Sequence, residues 1–414
     1  MRNAETIASL WHSNPRLMRQ LFALYSVVLA IVVNLLFVSS LAAQPSATGV
    51  RIGDHAQSTR FVMDLDAHVD FHVFALADPY RIVLDLPELN WKIASAKKVA
   101  GKGLVKDYRF GMFQPGTSRL VLDLAKPVRV KKSFILKPSG PYGYRLVIDL
   151  EATDRSTFMA NLGKTSIKPV QYQQPKAVQR KYGRKTIIVD PGHGGVDPGT
   201  ISARGHQEKA VTLRAGQALK KKLEATGRYN VVLTRDKDFF IPLRERVNIS
   251  RRNGGDLFIS LHADSIKDRR IRGATVYTLS ETSSDKEAAA LAAKENKADI
   301  IAGVDLQGQT NDVTQILIDL SQRETMNYSA EFANMLVPEM AKQVKIRKNP
   351  HRFAGFRVLK GPDVPAVLVE MGYLSNRHDT DLLISRKGVD RIAIAITKAV
   401  DRYFRDREAQ LASP

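Results

Sequence analysis

Hydrophobic and polar positions follow three regimes along the chain. Residues 21–38 are an almost unbroken apolar run, with Arg2, Arg16 and Arg19 before it and Ser40-Leu41-Ala42-Ala43 after it. Basic residues, an apolar core and a small-residue site make up a secretory signal, so residues 1–43 are expected to direct export. The run is about 18 residues, just enough to span a bilayer, which leaves an uncleaved anchor open beside cleavage. Arg16 and Arg19 are not adjacent, favouring the general secretory route over a twin-arginine one. Contact with a membrane is expected only through this segment.

The second regime alternates with a period of two. RFVMDL at 60–65, RIVLDL at 81–86, RLVLDL at 119–124 and RLVIDL at 145–150 are four copies of one pattern, the first and third 59 residues apart and the second and fourth 64. Further apolar strands at 71–76 and 128–136, and breaks at Asp78-Pro79 and 137–141, complete an all-β unit of two similar sheets. The spacing predicts a sandwich-like domain built from an internal duplication over 44–151. Residues 152–184, rich in Lys, Arg, Gln and Pro with few apolar anchors, are expected to be a linker.

In the third regime, strands at 186–189, 231–234, 257–261, 274–278 and 367–369 alternate with helical periods at 210–226 and 389–404. This predicts an α/β domain over 185–407, a mixed sheet flanked by helices. A long stretch at 283–348, with helix-forming runs at 286–301 and 323–344, is expected as an insertion.

Charge and cysteine content narrow the chemistry. Lys+Arg outnumber Asp+Glu by 63 to 42, a net charge of +21 that suits an acidic polymer or surface. The charge is spread out, with no aromatic-interleaved basic tract, so nucleic acid is not expected as a partner. With no cysteine at all, the exported body must hold together by core burial, and a metal site must use His and carboxylates.

Two histidines stand at strand ends: His193 in DPGHGG (190–195) and His262 in SLHAD (260–264). Glu208 begins a helical run, and Glu370 ends the apolar run PAVLVE (365–370). Two histidines and a carboxylate are a donor set of the kind catalytic zinc takes. Each histidine alone is more often a hydrogen-bonded loop residue than a ligand, and a structural ion pair with an arginine is the alternative for Glu370.

In order, DPGHGG, Glu208, TRD (234–236), LRER (243–246), SLHAD and VEMGYLSN (369–376) resemble the zinc N-acetylmuramoyl-L-alanine amidases. The resemblance implies Zn2+ held by His193, Glu208 and His262, with Asp264 as a further oxygen ligand or a hydrogen-bonding support. It implies Glu370 as the acid/base that takes a proton from water and passes it to the departing nitrogen. The bond cut is then the amide between the lactyl group of N-acetylmuramic acid and L-alanine in peptidoglycan. Arg235 and Arg244 read as scaffold, ion-paired rather than touching substrate.

The segment around 49–151 is similar to the AMIN domain, a targeting module, or is a β-sandwich with no ligand of its own. The insertion resembles that of Gram-negative division amidases, where it covers the zinc cleft until an activator with a LytM-type domain displaces it. Glu295 is then the candidate cap on the zinc, or else one member of a charged helix face with Lys294 and Lys297. Asp285, Glu287 and Asp299 are fallback candidates. The resemblance places the enzyme in the periplasm, in daughter-cell separation. A wall peptidase using the same metal set, and an inactive wall-binding protein, are the competing readings.

Overall fold

The computed structural model describes residues 44–55, 58–93, 99–160, 162, 183–304 and 315–412. The expected export signal and most of the expected linker lie outside the described residues. Nine strands come first: β1 (Ser46–His55), β2 (Ser58–Leu65), β3 (His72–Leu76), β4 (Arg81–Pro87), β5 (Asn90–Trp91), β6 (Val105–Gln114), β7 (Thr117–Leu124), β8 (Val128–Leu136) and β9 (Tyr144–Ala152). They form a five-stranded sheet, β5-β1-β2-β9-β8, and a four-stranded one, β3-β4-β7-β6.

The four copies of the repeated pattern are β2, β4, β7 and β9. They pair antiparallel, β2 with β9 and β4 with β7, so Arg60 faces Asp149 and Arg119 faces Asp85. Each pair closes a two-pronged bridge, at 2.7 and 2.8 Å for Arg60 and 2.6 and 2.7 Å for Arg119. The intervening apolar positions, among them Phe61, Met63, Leu84, Leu122 and Ile148, fill the core between the sheets. A period-two pattern also predicts a solvated outer face. In the four-stranded sheet that face is covered instead: Val83 and Val121 are fully buried, and Arg81 and Arg119 are only 3% and 6% exposed. The stretch expected as linker opens with a short helix, α1 (Arg155–Ala160), whose Phe158 joins the same core.

Beyond it run β10 (Lys185–Pro191), α2 (Glu208–Ala225), β11 (Tyr229–Leu233), α3 (Leu243–Arg252), β12 (Leu257–His262), β13 (Ala274–Leu279), α4 (Lys286–Glu295) and α5 (Ala298–Ile301). Then follow α6 (Gln315–Ala341), β14 (Ile346–Ala354), β15 (Ala366–Glu370), α7 (Arg377–Ile384) and α8 (Arg386–Ala412). The sheet order is β11-β10-β12-β15-β13-β14. The first four strands are parallel, while β13 runs against β15 and alongside β14, so the sheet is mixed as expected. One face packs on α2, α6 and α8 through residues such as Leu219, Phe332 and Ile396, and the other on Ile249 of α3 and Leu291 of α4. No expectation covered β14, whose Lys348-Asn349-Pro350 gives no apolar alternation; at the edge of a sheet such residues are tolerated. β11 lies to one side of β10 and β12 to the other, and at that reversal of strand order the carboxyl ends open a crevice.

Candidate metal and catalytic site

His193, Glu208, His262, Asp264, Glu295 and Glu370 converge on this crevice, while Arg244 is exposed. His193 follows β10 in a turn whose backbone is left-handed at His193 itself (φ 61°), an uncommon conformation for a residue with a Cβ. His262 ends β12, Glu370 ends β15 directly opposite it in register, and Glu208 is the first residue of α2. Gly192 has to lack a side chain, since a Cβ there would stand 2.4 Å from His262 Nε2.

Four donor atoms meet at one point. Glu208 Oε1 lies 3.2 Å from His193 Nε2 and 3.3 Å from His262 Nδ1. Glu295 Oε2, from the end of α4, lies 3.4 and 3.2 Å from the same two nitrogens. Both ring nitrogens and Glu295 Oε1 are buried without a hydrogen-bond partner. Donor atoms of His193, His262 and Glu295 fall within 4.8 Å of one another. Buried, unpartnered nitrogens and carboxylate oxygens aimed at a common centre are what a divalent cation needs.

Electrostatics agree. Burial alone would lower the His193 pKa, but Glu208, Asp197 and Glu295 outweigh it and hold the imidazole well above its ordinary value. Burial opposes the Glu208 anion, yet His193 and His262 keep its carboxyl well below the usual range. Burial pushes Glu370 well up, and Glu208, Asp264 and Glu295 add to the shift. Burial likewise raises Glu295, with the two histidines opposing. A doubly charged cation would offset this crowding of carboxylates.

Supporting residues fix the donors. His193 Nδ1 meets Asp197 Oδ2 at 2.9 Å, which orients the ring and leaves Nε2 toward the centre. Glu208 accepts from Thr200 N and Ala263 N at 2.9 and 2.8 Å, and the N-terminus of α2 favours its charge. Glu370 Oε2 accepts from Asp264 N at 2.9 Å, while Oε1 is buried with no partner. No arginine bridges Glu370 among the described residues, which disposes of the ion-pair reading. The Asp264 carboxylate is held by Thr200 and Lys294.

Two residues were missed in the sequence. Asp197 carried a signal, a carboxylate four places after His193 in a Gly-rich turn. Arg246 carried none beyond its place in LRER, yet it is 2% exposed and binds Asp190 Oδ1 at 2.8 Å, Pro191 O at 2.9 Å and His193 O at 2.8 Å. Among the described residues neither Arg235 nor Arg244 closes an ion pair, contrary to expectation, and Arg244 is exposed. Arg235 is buried, with its pKa lowered to about 10 by burial and by Arg246, and donates to Pro191 O, Gly192 O and Lys209 O. It is scaffold, but through backbone carbonyls, because a strand-end loop leaves them unpaired. A fully buried ion pair is instead made by Arg246, with Asp190.

The fallback candidates in the insertion lie elsewhere. Asp285 caps α4 through Ala288 N, Glu287 pairs with Arg347 and Arg352, and Asp299 accepts from Leu243 N. Lys294 is exposed along its stem, but its ammonium reaches Asp264 and Thr200 at the rim of the site. A cavity of about 170 Å3 remains beside Glu295, lined also by His193, Gly199 and Arg109 of β6.

Histidines and buried carboxylates gathered at the strand ends of a mixed α/β sheet are equipped for metal-assisted hydrolysis. The family model for N-acetylmuramoyl-L-alanine amidase matches residues 187–402 and that for the AMIN domain matches 49–150, and the chain belongs to this amidase family. It is 35% identical to N-acetylmuramoyl-L-alanine amidase AmiC of Neisseria meningitidis over 87% of this chain and 90% of that one. To AmiC of Escherichia coli it is 33% identical, over 89% and 91%. Among solved structures, AmiC2 of Nostoc punctiforme is similar at 27% identity over 54% of this chain and 98% of that one, with a TM-score of 0.39.

Proposed function

We propose that this amidase is zinc-dependent and cuts the amide joining the lactyl group of N-acetylmuramic acid to L-alanine, in the periplasm, during wall remodelling and daughter-cell separation. The observation that carries the reading is the convergence of His193 Nε2, His262 Nδ1 and Glu208 Oε1 beside a buried, partnerless Glu370 oxygen. A zinc ion held by those three side chains would polarise the scissile carbonyl and acidify a neighbouring water. Glu370, held by the backbone of Asp264, takes the proton of that water and passes it to the departing nitrogen. Asp197 keeps His193 in the tautomer with Nε2 free. Asp264 supports the site through its backbone, its carboxylate being held by Lys294 and Thr200.

Residues 1–43 serve as the export signal, 44–151 as the wall-targeting domain, 152–184 as a linker and 185–407 as the catalytic domain, with 283–348 its regulatory insertion. Glu295 occupies the position a substrate carbonyl or water needs, so the enzyme rests closed, and a LytM-type partner opens it by drawing α4 away.

Glu295→Ala in the exported body, incubated with purified peptidoglycan and zinc, is expected to release stem peptides with a free N-terminal alanine up to about 100-fold faster than the native chain. Equal rates would remove Glu295 from regulation. Cuts only inside the peptides, read by mass spectrometry, would sink the amidase reading in favour of a wall peptidase.

Metal analysis should find about one zinc per native chain and none in His262→Ala. Chelation should lower the stability of the native chain by about 4 kcal/mol where free zinc had stood at 1,000 times its dissociation constant. An unchanged melting temperature after chelation would argue against the metal.

A further inference from the structure

We infer that the β-domain is half of the latch: the outer face of its four-stranded sheet is a receptor for the carbonyl end of α5, and it holds the Glu295 segment in place. This rests on the regulatory reading of Glu295. Three arginines of that face each donate to the last backbone carbonyls of the segment. Arg81 reaches Ile300 O at 2.5 Å, Arg109 reaches Ile301 O at 3.1 Å, and Arg119 reaches Gly303 O at 2.8 Å and Ala302 O at 3.3 Å. Carbonyls at and just beyond the end of a helix have spare accepting capacity, and Ile300 O, which also takes Gly303 N at 3.1 Å, keeps a second lone pair, so guanidinium groups can bond there. Asp85 and Asp123 hold Arg119 and Arg109 at the correct angle.

The fit is steric as well. Gly303 lies left-handed (φ 67°) against Val83 and Val121, and a Cβ there would stand 3.1 Å from each. This contact accounts for the covered outer face. The same domain also abuts the loop of His193: Phe240 N donates to Met112 O at 3.1 Å, and a Cβ on Gly195 would stand 1.7 Å from that oxygen. One sheet therefore touches both the segment that closes the site and the loop that builds it. A partner that occupies this face, or bends the domain away, removes the grip on α5.

Hydrogen exchange on the intact chain tests this without relying on catalysis. In Arg81→Met/Arg109→Met, amides of 286–304 should exchange at least about tenfold faster, while β2 and β9 stay protected and Arg60→Ala, on the other sheet, changes nothing in the segment. Gly303→Ala, which leaves the β-domain untouched, should loosen the segment in the same way if the double variant unfolds its own sheet. Native protection of 286–304 in Gly303→Ala and in a folded double variant would overturn the clamp. Failure of Glu295→Ala to raise activity, with the exchange result standing, would instead count against Glu295 as the cap.

A second, independent feature concerns the substrate of the proposed amidase. A cavity of about 670 Å3 beside the catalytic strand ends is lined by Arg204, Arg269, Arg270, Arg272 and Arg377. Its wall continues into the site, since Leu374 N donates to Asp264 O at 2.8 Å and Ile266 N to Ser375 Oγ at 3.0 Å. Arg204, Arg270 and Arg272 have carboxylate partners, whereas Arg269 and Arg377 are exposed and meet none among the described residues. The geometry points to a subsite for free carboxylates of the stem peptide. Full-length Glu295→Ala with zinc should show a KM about tenfold higher for a muropeptide with amidated stem carboxylates than for the free acid, kcat holding within about twofold. Adding Arg269→Ala/Arg377→Ala should erase that difference. Equal KM values in the parent, or discrimination kept in the triple variant, would overturn the subsite. Should no muropeptide be cut, the amidase reading fails, and calorimetry of the free acidic tetrapeptide against its amide still decides the pocket.

Discussion

Glu370→Gln is expected to abolish nearly all amide hydrolysis, by a factor of about 100 to 10,000, in a chain that folds and retains its metal. The replacement keeps the shape and one carbonyl oxygen, so the hydrogen bond from Asp264 N survives. What is lost is the capacity of Oε1, buried and otherwise partnerless, to accept a proton. Stability should move the other way. Burial and then Glu208, Asp264 and Glu295 raise the folded pKa of Glu370 above its unfolded value, so the folded chain binds more protons than the unfolded one and loses stability as pH rises between the two. A glutamine escapes that loss. Zinc-free Glu370→Gln should therefore melt above the zinc-free native chain at neutral pH, the gap closing as pH falls toward about 4. The pair of measurements is decisive, because a variant that keeps activity refutes the role, and one that loses zinc or unfolds shows a structural residue.

Arg246→Leu is expected to cost about 3–5 kcal/mol, the largest stability effect in the catalytic half. Arg246 and Asp190 are both buried, and the guanidinium also donates to Ile241 O, Pro191 O and His193 O. Burial resists the Asp190 anion, yet Arg246, with Thr234 and Ser260, holds its pKa low. Removing Arg246 leaves the Asp190 charge without its cation and Ile241 O and His193 O without their side-chain donor, Pro191 O keeping Arg235, under the loop that presents His193. Denaturant midpoints should shift by that amount, with zinc affinity falling in the same variant. A shift below about 1 kcal/mol would mean that water or Arg235 replaces the lost donors.

Much of this was legible in the sequence because burial writes itself as periodicity. The repeated β pattern gave β2, β4, β7 and β9, and the apolar runs ending in His262 and Glu370 gave the strand ends where the site assembles. What the pattern withheld was pairing. Nothing in four equivalent copies says that β2 joins β9 and β4 joins β7, since that choice is made by distant partners. The burial of Arg81 and Arg119 was not legible because part of what covers them is backbone carbonyls more than 180 residues away, and carbonyls leave no mark in composition. Arg246 was hidden for the same reason. β14 went unseen because an edge strand with Lys, Asn and Pro breaks the alternation on which strand recognition depends.

On the proposed reading, in which Glu295 of the same polypeptide closes the site, leakage is traded against responsiveness. α4 is ten residues, about 15 Å long, and only its final carboxylate enters the centre. A resting enzyme that is open 1% of the time already nicks the wall at 1% of its full rate, and reversing that ratio requires an activator to favour the open form by about 5.5 kcal/mol. Deeper closure would protect a non-dividing cell better but would demand a tighter activator. On that reading, the anchors that hold the short helix, among them Asp285 on Ala288 N and Glu287 on Arg347 and Arg352, set how far the enzyme leaks before an activator acts.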